Sequence, residues 1–209
     1  MWNEQIIMML LEGIKDTLYM TLTSTLIGYV IGLPMGILLT VTDKDGIHPN
    51  AAVYKVLDVI ANLIRSVPFL ILLIVLIPFT RFLIGRSYGP TATIVPLVIA
   101  AAPYIARMVE SSLKEVDAGV IEAARSMGAS NFTIVTKVML VEARTSLIVG
   151  ATISLGTILG YSAMAGTVGG GGLGDIAIRY GYTRWQTDIM IVTVILLVIL
   201  FQIFQTIGM

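Results

Sequence analysis

Residues 117–140, DAGVIEAARSMGASNFTIVTKVML, form a polar, helix-forming segment between two long apolar runs, and the rest of the chain is organised around them. Asp117 is predicted to cap a first helix, because its carboxylate can accept hydrogen bonds from the free N–H groups of the first turn. Gly128 allows a turn with positive φ that a residue with a Cβ resists, and Ser130 can cap a second helix. We therefore expect a short helix, a glycine corner and a second helix that leads into the next apolar run. The first helix carries an apolar stripe at helical spacing, made of Val120, Ile121, Ala124 and Met127.

The composition indicates a membrane protein and argues against a soluble domain. Of 209 residues, 56% are hydrophobic and 12% are charged, and the mean hydropathy is +0.92. A net charge of zero without a basic patch argues against nucleic acid as a partner. The sequence has no cysteine and a single histidine, His48, so thiolate metal sites, zinc sites and Ser–His pairs are not supported. The first fifteen residues have neither a basic n-region nor a cleavage site, and we expect no signal peptide.

The apolar runs predict one all-α transmembrane domain, residues 1–209, that crosses the membrane five times. The first run has 26 uncharged residues, which as a helix measure about 39 Å and can cross a bilayer. In this run Gly28, Gly32 and Gly36 recur at four-residue spacing, a pattern typical of close helix packing, here expected within the subunit. The predicted spans are 17–42, 66–84, 88–106, 145–167 and 187–209.

Two of these spans are irregular. Pro68 and Pro78 bracket much of the second span, and we expect a bent helix there. The fourth span is rich in small and hydroxyl residues, as is typical of a helix that packs centrally or lines a pathway. Its helix should end near 164–168, because the run GGGGLG at 169–174 is not expected to hold a helix.

The basic residues predict the orientation. With the N-terminus outside, eight of the thirteen Lys and Arg residues lie in inner loops and five in outer segments. This excess agrees with the positive-inside rule. Residues 117–140 are therefore predicted to be cytoplasmic.

The sequence offers no group of residues for chemistry of its own. A Walker A loop needs Gly-Lys-Ser or Gly-Lys-Thr after its glycines, whereas Leu173-Gly174-Asp175 stands in that place here. The spans hold no paired carboxylates of the kind that proton-coupled carriers use, and no base that could activate Ser154 or Ser162 as a nucleophile. We expect a chain that is not an enzyme and binds no cofactor or metal. Both serines are interpreted as helix-packing or pathway hydroxyls.

The stretch Glu122-Ala123-Ala124 followed by Gly128 resembles the EAA loop of the membrane subunits of bacterial ABC importers. The resemblance implies a cytoplasmic coupling helix, within the coupling segment 117–140, that docks into a groove on a separate ATPase subunit. ATP and Mg would be bound by that partner. The family's loop usually continues to Ile-x-Leu-Pro, whereas this chain has Val-Met-Leu-Val at 138–141 and lacks the proline. The alternative interpretation is an amphipathic helix that lies on the lipid surface.

Three further stretches, GYSAMAGTVGGGGLGDIAIRYGY at 160–182, NLIRSVPFLILL at 62–73 and AAPYIARMVE at 101–110, resemble permeases of the methionine uptake family. The resemblance implies a homodimer of five-helix subunits in a bacterial cell membrane, surrounded by lipid. It also implies two ATP-binding cassette subunits inside and a substrate-binding lipoprotein outside that delivers L-methionine and D-methionine. Met164 would then lie near the dimer axis as an outer gate, where the fourth span meets the outer surface. The further pathway candidates are Tyr161, Ser162 and Ser154.

Three alternatives stay open at this point. The chain could be the permease of an ABC importer for another amino acid or small polar solute, because no charged pocket is visible in the sequence. It could also be a stand-alone channel or facilitator without an ATPase. Met164 could be a flexible thioether that fills a gap in the core.

Overall fold

The computed structural model describes residues 4–208, and within this range all regular secondary structure is helical, as predicted. The predicted bounds at residues 1 and 209 lie outside the described residues. Between the helices named below lie π-helical segments at Ile134–Met139 and Ala177–Tyr182 and a 3₁₀ turn at Gly166–Val168. The helices are α1 Glu4–Thr42, α2 Ala51–Ser66, α3 Phe69–Val75, α4 Ile77–Ile84, α5 Pro90–Lys114, α6 Ala118–Ser126, α7 Asn131–Thr133, α8 Leu140–Glu142, α9 Arg144–Ala165, α10 Gly172–Ile176 and α11 Thr187–Gly208.

The glycine row of α1 packs against α5. A Cβ on Gly32 would lie 2.6 Å from the carbonyl oxygen of Ala102, and one on Gly36 would lie 2.5 Å from that of Ala106. Both distances are far below van der Waals contact, so only glycine permits this approach of the two backbones. The expectation that the row packs within the subunit is confirmed.

Two helices are longer than the uncharged runs suggested. α1 begins at Glu4 and not at residue 17, and α5 continues to Lys114 and not to residue 106. At the end of α5 the charged side chains of Arg107, Glu110 and Lys114 form ion pairs with one another and with neighbouring segments. A helix can carry such paired charges, whereas a rule based on uncharged runs stops at the first of them.

The second predicted span, 66–84, is not a single helix. Its residues form α3 and α4, of seven and eight residues, which meet at Leu76. Pro78 has no N–H group for the helical ladder and explains the break. On the other side, α2 and α3 meet at Val67 and Pro68 with a bend of 101°. Within residues 4–208, four stretches are long and apolar enough to span a membrane, and the bent pair α2–α3 makes a fifth candidate.

The fourth crossing is a broken helix. α9 ends at Ala165, as expected, but the chain becomes helical again at Gly172, inside the glycine run. The expectation that 169–174 holds no helix is therefore wrong for its last three residues. Two tertiary contacts outweigh the poor helix propensity of glycine. The Leu173 N–H donates to the Thr17 hydroxyl at 2.9 Å, and Gly174 packs on α9, where a Cβ would lie 2.2 Å from the Ala163 carbonyl oxygen.

Neighbouring helices supply hydrogen-bond partners for the backbone at this break. The Gly89 N–H donates to the Gly169 carbonyl at 2.9 Å, and the Thr93 hydroxyl donates to the Gly170 carbonyl at 3.2 Å. Gly169 and Gly171 adopt φ values of 78° and 85°, which suit glycine. Irregular backbone at membrane depth is tolerated where protein groups satisfy it. The candidate span that contains α9 and α10 accordingly runs from Arg144 to Tyr182.

Candidate coupling surface and translocation pathway

The local signals in 117–140 produce the expected turns. The Asp117 carboxylate accepts a hydrogen bond from the Gly119 N–H at 2.7 Å, and the Ser130 hydroxyl accepts one from the Thr133 N–H at 3.2 Å. Gly128 has φ of 80°, and a Cβ there would meet nothing within 4 Å. The positive φ, and not a lack of space, is what favours glycine at this corner.

α6 turns Ala124 toward the interior of the protein and Glu122 toward the outside. Ala124 is buried in the same apolar cluster as Ile134 and Met139, whereas Glu122 and Ala123 are exposed. The structure therefore separates the third residue of the EAA stretch from the first two. Ala124 supports the helix from beneath and contributes nothing to the exposed surface.

Two large apolar side chains extend this surface. Met127 is 82% exposed and Phe132 is 77% exposed. The sequence predicted Met127 on the same apolar helix face as Ala124, but α6 ends at Ser126, so Met127 lies beyond the helix and its side chain is exposed. Phe132 follows the corner and carries no sequence signal of exposure. We call Glu122, Ala123, Met127 and Phe132 the docking surface, after the role that the EAA resemblance predicts for this helix.

The second helix of the segment is irregular and ends without a proline. It consists of α7, the π-helical segment Ile134–Met139 and α8. At Ala143 the backbone turns with ψ of 0°, and α9 begins at Arg144. The boundary that a proline marks in the EAA family is here a turn at a buried alanine.

The candidate pathway residues divide into two groups. Ser154 and Ser162 are buried, and their hydroxyls donate to the carbonyls of Gly150 at 2.8 Å and Leu159 at 2.7 Å. They face the interior of the subunit, and both hydroxyls are satisfied by their own helix. Met164, in contrast, is 51% exposed.

Met164 lies on an exposed face of α9. Ile153 and Gly160 are exposed on the same face, and a Cβ on Gly160 would meet nothing within 4 Å. Tyr161, one turn before Met164, stacks on Phe69 of α3 with ring centroids 4.4 Å apart.

The depth of Met164 differs from the expectation. It was predicted to sit where the fourth span meets the outer surface, because glycines follow it. The chain is helical again in α10 and in the π-helical segment to Tyr182, beyond those glycines, so Met164 lies near the middle of the candidate span Arg144–Tyr182. The glycine run is an interruption of the span and not its end.

Comparisons with known proteins agree with this architecture. Residues 16–207 match the family described as binding-protein-dependent transport system inner membrane component. The chain belongs to this family. A relative from Vibrio cholerae serotype O1, called probable D-methionine transport system permease protein MetI, is 48% identical over 200 residues, which cover 96% of this chain and 89% of the relative. The D-methionine transport system permease protein MetI of Escherichia coli K12 is 51% identical over 164 residues, covering 78% of this chain and 76% of the relative.

Two solved structures bear on the fold of this transport component. A crystal form described as an inward-facing conformation of the MetNI methionine ABC transporter matches with a TM-score of 0.97 at 49% identity, covering 99% of this chain and 96% of that one. An amino acid ABC transporter with histidines matches with a TM-score of 0.80 at 22% identity, covering 98% and 92%, and supports the fold alone. The chain is thus a multi-pass inner-membrane protein with a permease fold.

The sequence analysis missed an ion-pair network at the C-terminal end of α5. Glu110 of α5 accepts from Arg107 at 2.6 Å and from Lys114 at 2.8 Å. Lys114 also pairs with Asp43 at 2.6 Å, and Arg107 also pairs with Asp58 of α2. The network joins the end of α1, α2 and α5. The hydrogen bond from Lys114 holds the pKa of the Asp43 carboxyl below its ordinary value of 3.8.

α6 rests beside this network. The Arg125 guanidinium donates to the carbonyl oxygen of Ile47 at 2.9 Å and so ties α6 to the loop after α1. A cleft of about 490 Å³ lies between them, lined by charged residues that include Asp43, Lys114 and Glu122. These residues are far apart in sequence, and spacing gave no signal that they meet.

Proposed function

We propose that the chain is the permease subunit of an ATP-driven ABC importer that carries L-methionine and D-methionine across the cell membrane. The observation that carries the proposal is the near full-length likeness to the inward-facing methionine transporter, with a TM-score of 0.97 at 49% identity. The relatives described as D-methionine permeases, at 48% and 51% identity, support the same substrate. The chain would provide the path and bind no cofactor.

The docking surface supports a partner on the cytoplasmic side. A carboxylate at Glu122 beside the small Ala123 gives one charged anchor, and the exposed Met127 and Phe132 supply apolar area of the kind found at the centre of protein interfaces. An ATPase subunit that binds ATP and Mg would cover this surface on each of two permeases. The chain's own contribution is to transmit the movement of that partner.

The exposed face of α9 supports a homodimer around the pathway. Gly160 leaves room for a second backbone, and Met164 one turn further on would meet its own copy across a two-fold axis. Two flexible thioethers can close a path and yield easily. ATP binding would close the ATPase subunits, move the coupling helices and separate the two gates outward. In this orientation the N-terminus of α1 lies outside the cell membrane, on the same side as an extracytoplasmic binding lipoprotein.

The test is uptake by the reconstituted complex. The permease is purified with its ATPase partner and reconstituted into liposomes. ATP is supplied on the side of the membrane where the ATPase lies, and the binding protein is added. We expect labelled L-methionine to be taken up with ATP hydrolysis, and excess D-methionine to compete. Competition by another amino acid but not by methionine would assign a different substrate. Uptake without ATP and without the ATPase would show a channel and overturn the proposal.

A further inference from the structure

A pocket of about 210 Å³ lies where α2, α3, α5 and α9 meet. Its lining includes residues on both sides of the 101° corner between α2 and α3, and the last turn of α2 contributes Arg65. The side chains that matter here are those of Arg65, Phe69, Leu72, Tyr104 and Tyr161. They come from the consecutive helices α2 and α3 and from α5 and α9, and we call the cavity that they line the corner pocket.

Arg65 gives the corner pocket a positive charge without an internal counter-charge. No carboxylate lines the pocket, and within the described residues Arg65 has no ion-pair partner. Arg107, only two turns of α5 away from the lining residue Ala100, is in contrast held by Asp58 and Glu110. An exposed guanidinium of this kind can bind a carboxylate through two parallel hydrogen bonds.

Part of the lining is apolar and aromatic. Phe69 and Tyr161 stack nearly parallel, 4.4 Å apart and 6° from coplanar, and Leu72 lies beside them in the lining. Stacked rings and an aliphatic side chain suit an unbranched apolar chain, and a thioether makes favourable contacts with aromatic rings.

Hydroxyl groups complete the lining. The Tyr104 hydroxyl lies 3.4 Å from that of Thr157, and in the described part of the chain the Tyr161 hydroxyl has no hydrogen-bond partner. A phenolic oxygen can accept a hydrogen bond from an ammonium group. The corner pocket thus offers partners for a carboxylate, an ammonium group and an apolar side chain together.

The corner pocket lies next to the proposed gate. Tyr161 precedes Met164 by one helical turn, about 4.5 Å along the axis. In the proposed orientation, α9 runs from the cytoplasm outward, so Tyr161 lies on the cytoplasmic side of Met164. A solute that has passed the gate would meet the corner pocket next.

We propose that the corner pocket is a transit subsite for a free α-amino acid with an apolar side chain, which binds by its carboxylate to Arg65 and by its side chain to the ring pair Phe69–Tyr161. This inference rests on the proposed function and adds a binding site to it. Because Arg65 is exposed and the pocket is small and open, binding is weak, as release into the cytoplasm requires.

The experiment is photolabelling of the complete transporter. The permease and its ATPase partner in nanodiscs are irradiated with a diazirine analogue of methionine, and the labelled peptides are mapped by mass spectrometry. We expect labels on α3 or α9 within the corner pocket, and excess L-methionine should remove them. Arg65→Gln should lower this labelling about tenfold, because it removes a charge-assisted contact. Arg86→Gln, which changes an exposed arginine outside the pocket, serves as the matched control and should leave labelling unchanged.

A lipid phosphate is the other source of an anion for Arg65, and the same preparation distinguishes the two. In nanodiscs of purely zwitterionic lipid the labelling should persist, and Arg65→Gln should still lower it. If Arg65→Gln changes only the anionic lipid retained by the complex, the proposal of an amino-acid subsite is wrong. If wild-type complex takes up methionine but carries no label in the corner pocket, this inference fails while the proposed function stands. If wild-type complex takes up no methionine, the proposed function fails.

Discussion

Replacing Glu110 by glutamine should lower the stability of the permease, because Glu110 lies at the centre of the ion-pair network at the end of α5. The Glu110 side chain is only 7% exposed and lies between Arg107 at 2.6 Å and Lys114 at 2.8 Å. Glutamine keeps the shape of the side chain but removes the negative charge that two cations share. Both ion pairs that form within α5 would be lost in one substitution.

The expected cost follows from what each cation retains. Removing one partner of a buried ion pair typically costs about 3–5 kcal/mol, because a charge is left buried without compensation. Here Arg107 keeps Asp58, and Lys114 keeps Asp43 and is 43% exposed, so neither charge is left alone. We therefore expect a smaller cost of about 2 kcal/mol. For a chain of this size that corresponds to a melting temperature about 4–8 °C lower.

The assay is thermal unfolding of the detergent-solubilised complex, with Asp45→Asn as the control. Asp45 pairs with Lys44 at 3.7 Å, but these side chains are 83% and 85% exposed, so the loss of this pair should cost at most about 1 kcal/mol. If Glu110→Gln lowers the melting temperature no more than Asp45→Asn does, the network contributes nothing beyond a solvated surface pair. The ion pairs of Glu110 would then not stabilise the permease.

Four further predictions concern coupling to the ATPase, the turn at Gly128, the gate at Met164 and the pH dependence of stability. Glu122→Arg should leave membrane insertion and dimerisation intact but reduce co-purification of the ATPase and uptake, and normal uptake would remove Glu122 from the docking surface. Gly128→Val should lower coupled uptake more than Gly128→Asn, because a β-branched residue at φ of 80° costs about 1–3 kcal/mol; equal effects would contradict a backbone cause. Met164→Cys should form a disulfide across the dimer without nucleotide if the Cα atoms approach within about 7 Å, and it should block uptake until reduced; the absence of any crosslinked dimer in every nucleotide state would identify Met164 as a packing residue. Because the hydrogen bond from Lys114 lowers the Asp43 pKa in the fold, its contribution to stability is complete above the unfolded value of 3.8 and is lost as pH falls through the lower folded value. Between about pH 5 and 3, the free energy of unfolding should therefore fall less steeply with decreasing pH in Asp43→Asn than in the wild type. Equal slopes for the two proteins would refute this.

Sequence reasoning succeeded where the cause of the structure is local. Asp117, Gly128 and Ser130 each act on backbone groups within three residues of themselves, so their roles could be derived from residue type and position. The glycine row of α1 was interpreted correctly for a similar reason, because its spacing alone defines a helix face. The roles of Glu122, Met164 and Tyr161 in transport stay predictions.

It failed where distant residues set the outcome. α5 continues past residue 106 because Asp43 and Asp58 neutralise its charges, and no periodicity of α5 contains that information. α10 begins inside the glycine run because Thr17, 156 positions away from Leu173, accepts its N–H. The corner pocket likewise depends on a bend that brings Arg65 to α9. Such effects need the fold before they can be seen.

The contacts around α6 bear on how force from a partner would travel. α6 packs on the π-helical segment Ile134–Met139 through Ala124, and Leu113 near the end of α5 belongs to the same buried cluster. Arg125 adds a bond to the loop after α1. Because buried apolar contacts resist compression and separation, a displacement of α6 has to move the segments packed on it. One of those segments runs directly through α8 into α9, which carries Met164, whereas the ion pairs hold α1, α2 and α5 together as one body. A partner that moved the docking surface would therefore displace α9 along the chain, and would act on α1, α2 and α5 only through side-chain contacts. The proposed gate at Met164 would open or close through the difference between these two displacements.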